Sequence, residues 1–186
     1  MALITYTDKE TLNSNPNVPI VNKVQADDMN EIKQVVNDNY NALAPNIITA
    51  YLTADSSKTA QSGTIGLDGS VSVGSKLSFS SSTHKITIGA GVSKVKISGN
   101  MRISTSTNTA IGVNLNIFKN DSIYSASNRT QLAGNGYDGI AVAPSVISVA
   151  ENDTITLAYW KGNSTQAISI LGNDYGATYL TVEVVE

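Results

Sequence analysis

The sequence predicts a mostly β protein, an antiparallel sandwich preceded by one short α-helix. Apolar and polar residues alternate with a period of two along much of the chain after residue 46. Turn-forming runs such as SSSTHK, KNDS and AGNGYDG separate these stretches. A convincing helical spacing of apolar residues occurs only in DDMNEIKQVVNDNYNAL, residues 27–43. Many short alternating strands of this kind form antiparallel sandwiches or jelly rolls.

The N-terminal part is predicted to contain an extended arm followed by a helix. Residues 1–24 include NSNPNVPIVNKV, whose prolines lack a backbone donor and favour extended conformations. Residues 25–45 form the helical segment. Asp28 and Glu31 are spaced as in a capping box at its start. Pro45 disfavours a helical conformation in the residue before it and so marks the end.

The apolar residues of this helix are spaced as in a coiled-coil seam. The seam consists of Met29, Ile32, Val36, Asn39 and Leu43, with Asn39 at a position that is normally apolar. A buried Asn can fix register and oligomeric state, so the pattern favours a parallel three-stranded stem. The alternative is a helix that packs against its own β domain, because the seam is shorter than three heptads.

Residues 46–186 are predicted to form the β domain. Along four stretches, alternate side chains are expected to face the core because the intervening positions are mostly polar. These core positions are Val95, Ile97, Met101, Ile103, Ile111, Val113, Leu115, Ile117, Ile155, Leu157, Tyr159, Leu180, Val182 and Val184.

Composition excludes several classes of function. The formal net charge is -3, so the chain lacks the basic character of a nucleic-acid-binding protein. With no cysteine, it has no disulfide and no thiolate metal site. No uninterrupted apolar run approaches the roughly 20 residues that span a bilayer. The first residues do not resemble a signal peptide, which indicates synthesis in the cytosol.

No pattern of reactive residues indicates an enzyme. His84 is the single histidine and lies in a predicted turn, without a second ligand or a nucleophile motif beside it. The acidic residues in turn-rich sequence do not form an evident pair for glycoside hydrolysis. They are Asp121, Asp138, Glu151, Asp153 and Asp174. We therefore expect a protein without catalytic activity, metal or cofactor.

Loops provide the best candidates for binding. Aromatic faces beside amide and carboxylate groups suit recognition of a sugar or a protein. The candidates are Arg129, Asn135, Tyr137, Asp138, Trp160, Asn163, Asp174 and Tyr175. The alternative is that Asn and Gly supply turn conformations, while Trp160 and Tyr175 fill the core or a contact between copies.

Five segments resemble, in order and spacing, the trimeric jelly-roll heads of the first complement component and tumour necrosis factor. They are TIGLDGSV, KLSFSSSTHKITIGAGVSKVKISGNMRIS, GVNLNIFKNDS, ENDTITLAYW and TYLTVEVV. The resemblance covers about residues 46–186 and implies a homotrimer. The metal ligands of some complement-like heads have no matching set of acids here, so calcium binding is not carried over.

The segment NKVQADDMNEIKQVVNDN resembles the short N-terminal helical modules of bacteriophage fibre and baseplate proteins. This resemblance implies a virion protein, assembled on the particle, with an arm that docks to other virion proteins and a knob beyond a coiled-coil stem. The expected function is binding of a host-surface glycan, cell wall or protein. A purely structural fibre and, on weaker grounds, a glycan-cleaving tailspike are the alternatives.

Overall fold

The computed structural model describes residues 26–43, 45–127, 130–162, 165–172 and 177–185. The chain divides into two compact units, Met1–Ala44 and Pro45–Glu186. The predicted arm, residues 1–24, lies outside the described residues.

The first unit contains helix α1, Ala26–Leu43. The helix begins two residues before Asp28, so the prediction that Asp28 caps its start is wrong. Of the predicted seam, Met29 and Val36 are half-buried, whereas Ile32 and Asn39 are exposed. The side chain of Leu43 lies outside the described residues. The coiled-coil stem therefore stays a prediction.

The second unit is built from strands. They are β1 Ile47–Tyr51, β2 Ser56–Lys58, β3 Ser62–Thr64, β4 Gly69–Val73, β5 Leu77–Ser80, β6 Lys85–Ile88, β7 Lys94–Ser104, β8 Ile111–Lys119, β9 Ser122–Ala126, β10 Thr130–Leu132, β11 Tyr137–Ser148, β12 Thr154–Lys161, β13 Ile168–Ile170 and β14 Tyr179–Val184. The strand pairings are antiparallel.

These strands form two sheets that enclose one core. Sheet 1 has the order β2-β13-β7-β14-β1-β4, with β11 pairing on the other side of β7. Sheet 2 has the order β10-β8-β12-β6-β5, with β9 beside β8 and β3 beside β12. Every predicted core side chain is buried except Val184, which is half-buried and packs against the core. The prediction of a mostly β antiparallel sandwich with one short helix is confirmed.

Strand β11 is an edge strand of sheet 1 and is interrupted by a bulge. Its register with β7 shifts between Val142 and Ser145, so Ala143 and Pro144 are left out of the ladder. A proline has no backbone N–H to give to a neighbouring strand, which is why it fits an edge or a bulge. The bulge divides β11 into two paired halves.

The side chains of Lys119, Asn120 and Asp153 contact one another and hold one end of the sandwich together. We call these three residues the polar bracket. Asn120 and Asp121 form the two-residue turn between β8 and β9, both with positive φ, as the KNDS run predicts. Asp153 accepts hydrogen bonds from Asn120 Nδ2 at 2.6 Å and from the Ala150 N–H at 2.8 Å, and it forms an ion pair with Lys119 Nζ at 2.8 Å. The bonds from Lys119 and Asn120 lower the pKa of Asp153 to about 2.

Lys119 also connects the bracket to sheet 1. Its Nζ donates a hydrogen bond to the Ser148 carbonyl at 2.8 Å, at the end of β11. The polar atoms of the bracket are therefore paired within the protein, and the C-terminal end of β11 is anchored to sheet 2.

Candidate binding groove

Four polar side chains form a row across the outer face of sheet 1. Ser57 of β2 lies opposite Ser169 of β13, Ser169 lies opposite Ser104 of β7, and Ser104 lies opposite Tyr137 of β11. Residues directly opposite each other in an antiparallel ladder share one face. We call Ser57, Ser169, Ser104 and Tyr137 the polar row.

Two open pockets lie along the polar row and share Ser104 and Ser169. The larger has a volume of about 340 Å³ and is lined by Asp55, Arg102, Ser104, Tyr137, Ser169, Leu171, Gly172 and Ala177. The smaller, about 160 Å³, is lined by Ser57, Ser104, Thr105, Ser106, Ala167, Ile168 and Ser169. Together they form a groove in which hydroxyl and charged groups predominate, and we call it the polar groove.

The three serine hydroxyls of the polar row have no hydrogen-bond partner within the described part of the chain. Ser104 and Ser169 are half-buried, whereas Ser57 is exposed. Tyr137 is 74% exposed, the largest exposure among the large apolar and aromatic side chains described. These groups are consequently free to contact a ligand.

Arg102 is a cation on the wall of the larger pocket. Its main chain is fixed, because its N–H donates to Thr178 Oγ1 at 3.2 Å and its carbonyl accepts from the Leu171 N–H at 2.8 Å. Its guanidinium forms no hydrogen bond or ion pair with the described residues. Gly139 lies opposite Arg102, and a Cβ there would meet no atom within 4 Å. The space beside the guanidinium is therefore open.

Asp55 supplies a negative charge to the larger pocket, which also contains the cation Arg102. A close backbone contact holds Asp55 in place. Its Oδ1 accepts a hydrogen bond from the Gly172 N–H at 2.9 Å. A Cβ on Gly172 would lie 2.4 Å from the Ala54 carbonyl carbon, so this approach requires glycine. Asp55 and Arg102 do not form an ion pair. The loop before β2 and the segment after β13 thus form one wall of the groove.

Of the predicted binding residues, the structure describes Asn135, Tyr137, Asp138 and Trp160. Tyr137 lies in the polar groove. Asn135 has a φ of 54° in a turn, where its Nδ2 donates to Asn108 Oδ1 at 2.5 Å. Asp138 accepts hydrogen bonds from Thr130 Oγ1 at 2.6 Å and from the Gly139 N–H at 2.8 Å. Both Asn135 and Asp138 therefore have structural partners.

Trp160 lies on the far side of the sandwich from Tyr137. Along β12 the side chains of Leu157 and Tyr159 belong to the core, so by alternation Trp160 is on the outer face of sheet 2. Tyr137 and Trp160 therefore do not belong to one site. Arg129, Asn163, Asp174 and Tyr175 lie outside the described residues.

The other titratable groups of interest have structural partners. His84 has a φ of 59° and its Nδ1 lies 2.8 Å from the Leu67 carbonyl oxygen, so it holds a turn against a neighbouring segment. Lys161 is fully buried at the end of β12, where burial lowers its pKa and its Nζ donates to the Gln166 carbonyl. Among the described residues, no three acidic or histidine side chains are grouped to hold a metal ion.

Sequence reasoning missed Asp55, Arg102 and the three serines of the groove. Their strands β2 and β13 have three residues each, too few to show an alternating pattern. Residues 102, 137 and 169 meet through sheet pairing, and Asp55 joins them through the contact of its loop with Gly172. An exposed arginine opposite a glycine on a paired strand is a signal of open space, but it can be read only once the register is known.

No helix in the described part of the chain has the length and apolar character needed to cross a membrane. No protein-family model matches the sequence, and no curated protein matches it.

Solved structures show where the fold occurs elsewhere. Murine APRIL at pH 5.0 is similar with a TM-score of 0.55 and 9% identity, covering 76% of this chain and 99% of that chain. Eiger TNF from S. frugiperda is similar with a TM-score of 0.55 and 6% identity, covering 76% of this chain and 94% of that chain. At these identities the likeness concerns the fold alone. The chain has the TNF-like jelly-roll fold, as the segments of residues 46–186 predict.

Proposed function

We propose that this chain is a homotrimeric bacteriophage virion appendage whose jelly-roll head binds a receptor on the host surface without catalysing a reaction. The observation that carries the binding function is the polar groove. There the exposed ring of Tyr137, the guanidinium of Arg102 and the hydroxyls of Ser104 and Ser169 line one open pocket. The guanidinium and the two hydroxyls have no partner among the described residues. In ligand sites, a small number of placed polar groups fix the orientation of the ligand.

The outer face of sheet 1 supports assembly into a ring. Val71 and Val73 on β4 are about half exposed, and Val146 on β11, at the opposite edge of the sheet, is 57% exposed. Two different apolar patches at opposite edges suit a head-to-tail contact between copies, which closes into a cyclic oligomer. The resemblance to trimeric heads favours three copies.

The N-terminal segments fit the same architecture. Helix α1 exposes Ile32 and Val35, each more than half accessible, so it offers apolar surface for a partner. Three such helices would form the stem that the spacing of its seam predicts. The arm, residues 1–24, is proposed to dock to other virion proteins on the basis of the resemblance of NKVQADDMNEIKQVVNDN to phage fibre modules.

The test uses the purified full-length chain and the phage that carries it. The mass of the chain in solution should be that of a trimer, and saturating protein should block adsorption of the phage to its host. Antibodies to the protein should label the particle in electron micrographs. A Tyr137→Ala chain should lose the block, whereas Tyr124→Ala should retain it. Tyr124 is a suitable control because it is 49% exposed on β9 of sheet 2.

Labelled particles with no block of adsorption would contradict receptor binding and point to a purely structural fibre. Unlabelled particles would contradict the virion assignment.

A further inference from the structure

We propose that the polar groove binds a hexuronic acid residue of a host polysaccharide: the carboxylate on Arg102, the flat face of the ring on Tyr137 and the ring hydroxyls on Ser104 and Ser169. This inference rests on the proposed receptor-binding function and names the chemistry of the receptor. The ligand is treated as one sugar residue of a longer chain.

The guanidinium of Arg102, which has no partner in the described part of the chain, determines the charge of the ligand. A neutral sugar that covered Arg102 would remove water from the cation without returning a charged partner, which disfavours binding. A carboxylate matches the two parallel donors of the guanidinium and forms strong charge-assisted hydrogen bonds. The main-chain bonds of Arg102 to Thr178 and Leu171 keep the strand in place, so little of the binding free energy is spent on ordering it.

Asp55 makes the pocket favour a ligand carboxylate over a phosphate monoester. Among the described residues, the pocket is lined by one cation, Arg102, and one carboxylate, Asp55. A ligand that carries one negative charge adds a single repulsion with Asp55. A phosphate monoester, which approaches two charges at neutral pH, adds nearly twice that repulsion. The remaining oxygen of Asp55 can accept a hydrogen bond from a sugar hydroxyl, since Oδ1 is already bonded to Gly172.

The polar row determines that the ligand is a sugar rather than an acidic peptide. Ser169 and Ser104 are on adjacent strands, which lie about 4.8 Å apart. Two hydroxyls at that separation can reach different hydroxyls of one ring, and each serves as donor and acceptor. Tyr137 is the diagonal neighbour of Arg102 on the same face, within reach of a ligand held by the guanidinium. Its ring offers an apolar platform.

The size of the groove matches a short part of a polysaccharide. A volume of about 340 Å³ is at the lower end of the roughly 300–1,000 Å³ typical of small-molecule sites. The smaller pocket continues along the polar row past Ser169 to Ser57. The neighbouring sugar of the polysaccharide would lie there, where the described lining residues carry hydroxyls but no charged side chain.

The groove is a poor fit for another copy of the chain. The central parts of protein interfaces are depleted of charged residues. Arg102 and Asp55 both line the larger pocket, and the exposed apolar patches Val71, Val73 and Val146 are elsewhere on the sheet. Contact between copies is therefore expected at those patches.

The test is calorimetric titration of the full-length chain with oligosaccharides of defined charge. The probes are oligomers of galacturonate, glucuronate, mannuronate and guluronate, with galactobiose as the neutral match and glycerol 3-phosphate as the phosphate probe. At least one uronate should bind, at least about tenfold more tightly than galactobiose, and added salt should weaken the binding. Binding of no uronate, or equal binding of galactobiose, would overturn the proposal. Binding of glycerol 3-phosphate in place of the uronates would also overturn it.

Substitutions test which side chains bind the uronate. Arg102→Gln should reduce uronate affinity at least about tenfold. Tyr137→Ala should reduce uronate affinity, and Tyr124→Ala should leave it unchanged. The mass in solution should be unchanged in all three. A change of oligomeric state in Tyr137→Ala would assign this ring to a contact between copies and overturn its role here.

The result of the uronate titration can be distinguished from the result of the adsorption test. Uronate binding without competition against the phage would contradict the receptor function while retaining the site. Competition without uronate binding would retain the receptor function and contradict the ligand.

Discussion

The two ends of the outer face of sheet 1 differ in chemistry, although the same strands β7 and β11 run through both. At the Tyr137 end, the polar row and Arg102 carry polar groups without partners in the described chain. Nine residues further along β11, roughly 30 Å away at the usual rise of a strand, Val146 is exposed beside Lys96, which forms a 3.5 Å ion pair with Glu183.

The difference indicates what each end contacts. Unpaired polar groups in a pocket are costly to cover unless a ligand supplies their hydrogen bonds. Exposed apolar side chains gain from being covered by another apolar surface. The Val146 end is also tied to sheet 2 by the polar bracket through Ser148. One end is therefore suited to a polar ligand and the other to a second copy of the chain.

The largest expected effect comes from placing a charge at the apolar end. Val146→Glu should dissociate the proposed trimer, because the new carboxylate would lose its water in the contact. Lys96 lies opposite it but is already paired with Glu183, so the uncompensated charge should cost about 3–5 kcal/mol. Sedimentation at micromolar concentration should show monomer for the variant and trimer for the unchanged chain. Ile123→Glu is the matched control, since Ile123 is 64% exposed on β9 of sheet 2. A Val146→Glu chain that remains trimeric would remove this edge from the interface.

The next largest effect is expected on the free energy of unfolding, from a substitution in the wall of the groove. Gly172→Ala should lower the free energy of unfolding by about 3 kcal/mol, because the new Cβ would overlap the backbone of Ala54, which has little freedom to move. Gly139→Ala, where a Cβ meets open space, should change it by less than about 0.5 kcal/mol. Denaturant unfolding measures both. Equal values for the two variants would show that the wall adapts.

The polar bracket should give a smaller effect that depends on pH. Asp153→Asn keeps the shape and removes the charge, so near neutral pH it should cost about 2 kcal/mol. The folded pKa of Asp153, about 2, is below its ordinary value of 3.8. Its carboxylate therefore stabilises the fold fully above pH 3.8, and this contribution is lost as the pH falls from 3.8 to 2.

The difference in melting temperature between Asp153→Asn and the unchanged chain should accordingly shrink over that window. Asp121→Asn, in the same hairpin, is the control: Asp121 has a side chain 72% exposed and only a surface ion pair with Lys85. A constant difference across the window would contradict the bracket as the cause.

The smallest expected effect concerns the groove itself. Arg102→Gln should change the free energy of unfolding by less than about 0.5 kcal/mol, because the guanidinium has no partner in the described chain to lose. Thermal and denaturant unfolding are the measurements. A loss of more than about 1 kcal/mol would mean that Arg102 serves the fold rather than a ligand.

The features that could be predicted from the sequence are those that depend on the pattern of neighbouring residues. The alternation of Val95, Ile97, Met101 and Ile103 identified the inner face of β7, since a strand repeats every two residues. Asn120 and Asp121 predicted a tight turn, since both residue types tolerate positive φ better than most. These features need no knowledge of distant parts of the chain.

The groove could not be predicted in the same way. Among the predicted binding residues that the structure describes, only Tyr137 lies there, and its partners Arg102, Asp55 and Ser169 come from strands and loops far away in sequence. Their meeting depends on the register of β13 with β7 and on the approach of Gly172 to Ala54. Asp138, next to Tyr137, points to the other face and is paired with Thr130.

The bulge at Ala143 and Pro144 affects how the protein aggregates at high concentration. An edge strand of 12 residues is a long template on which an identical strand from another molecule could add, and repeated addition leads to fibrils. Pro144 removes one backbone donor, and the shifted register breaks the template into two short runs. Crowded chains are thereby kept from joining edge to edge, while their side chains stay free to associate.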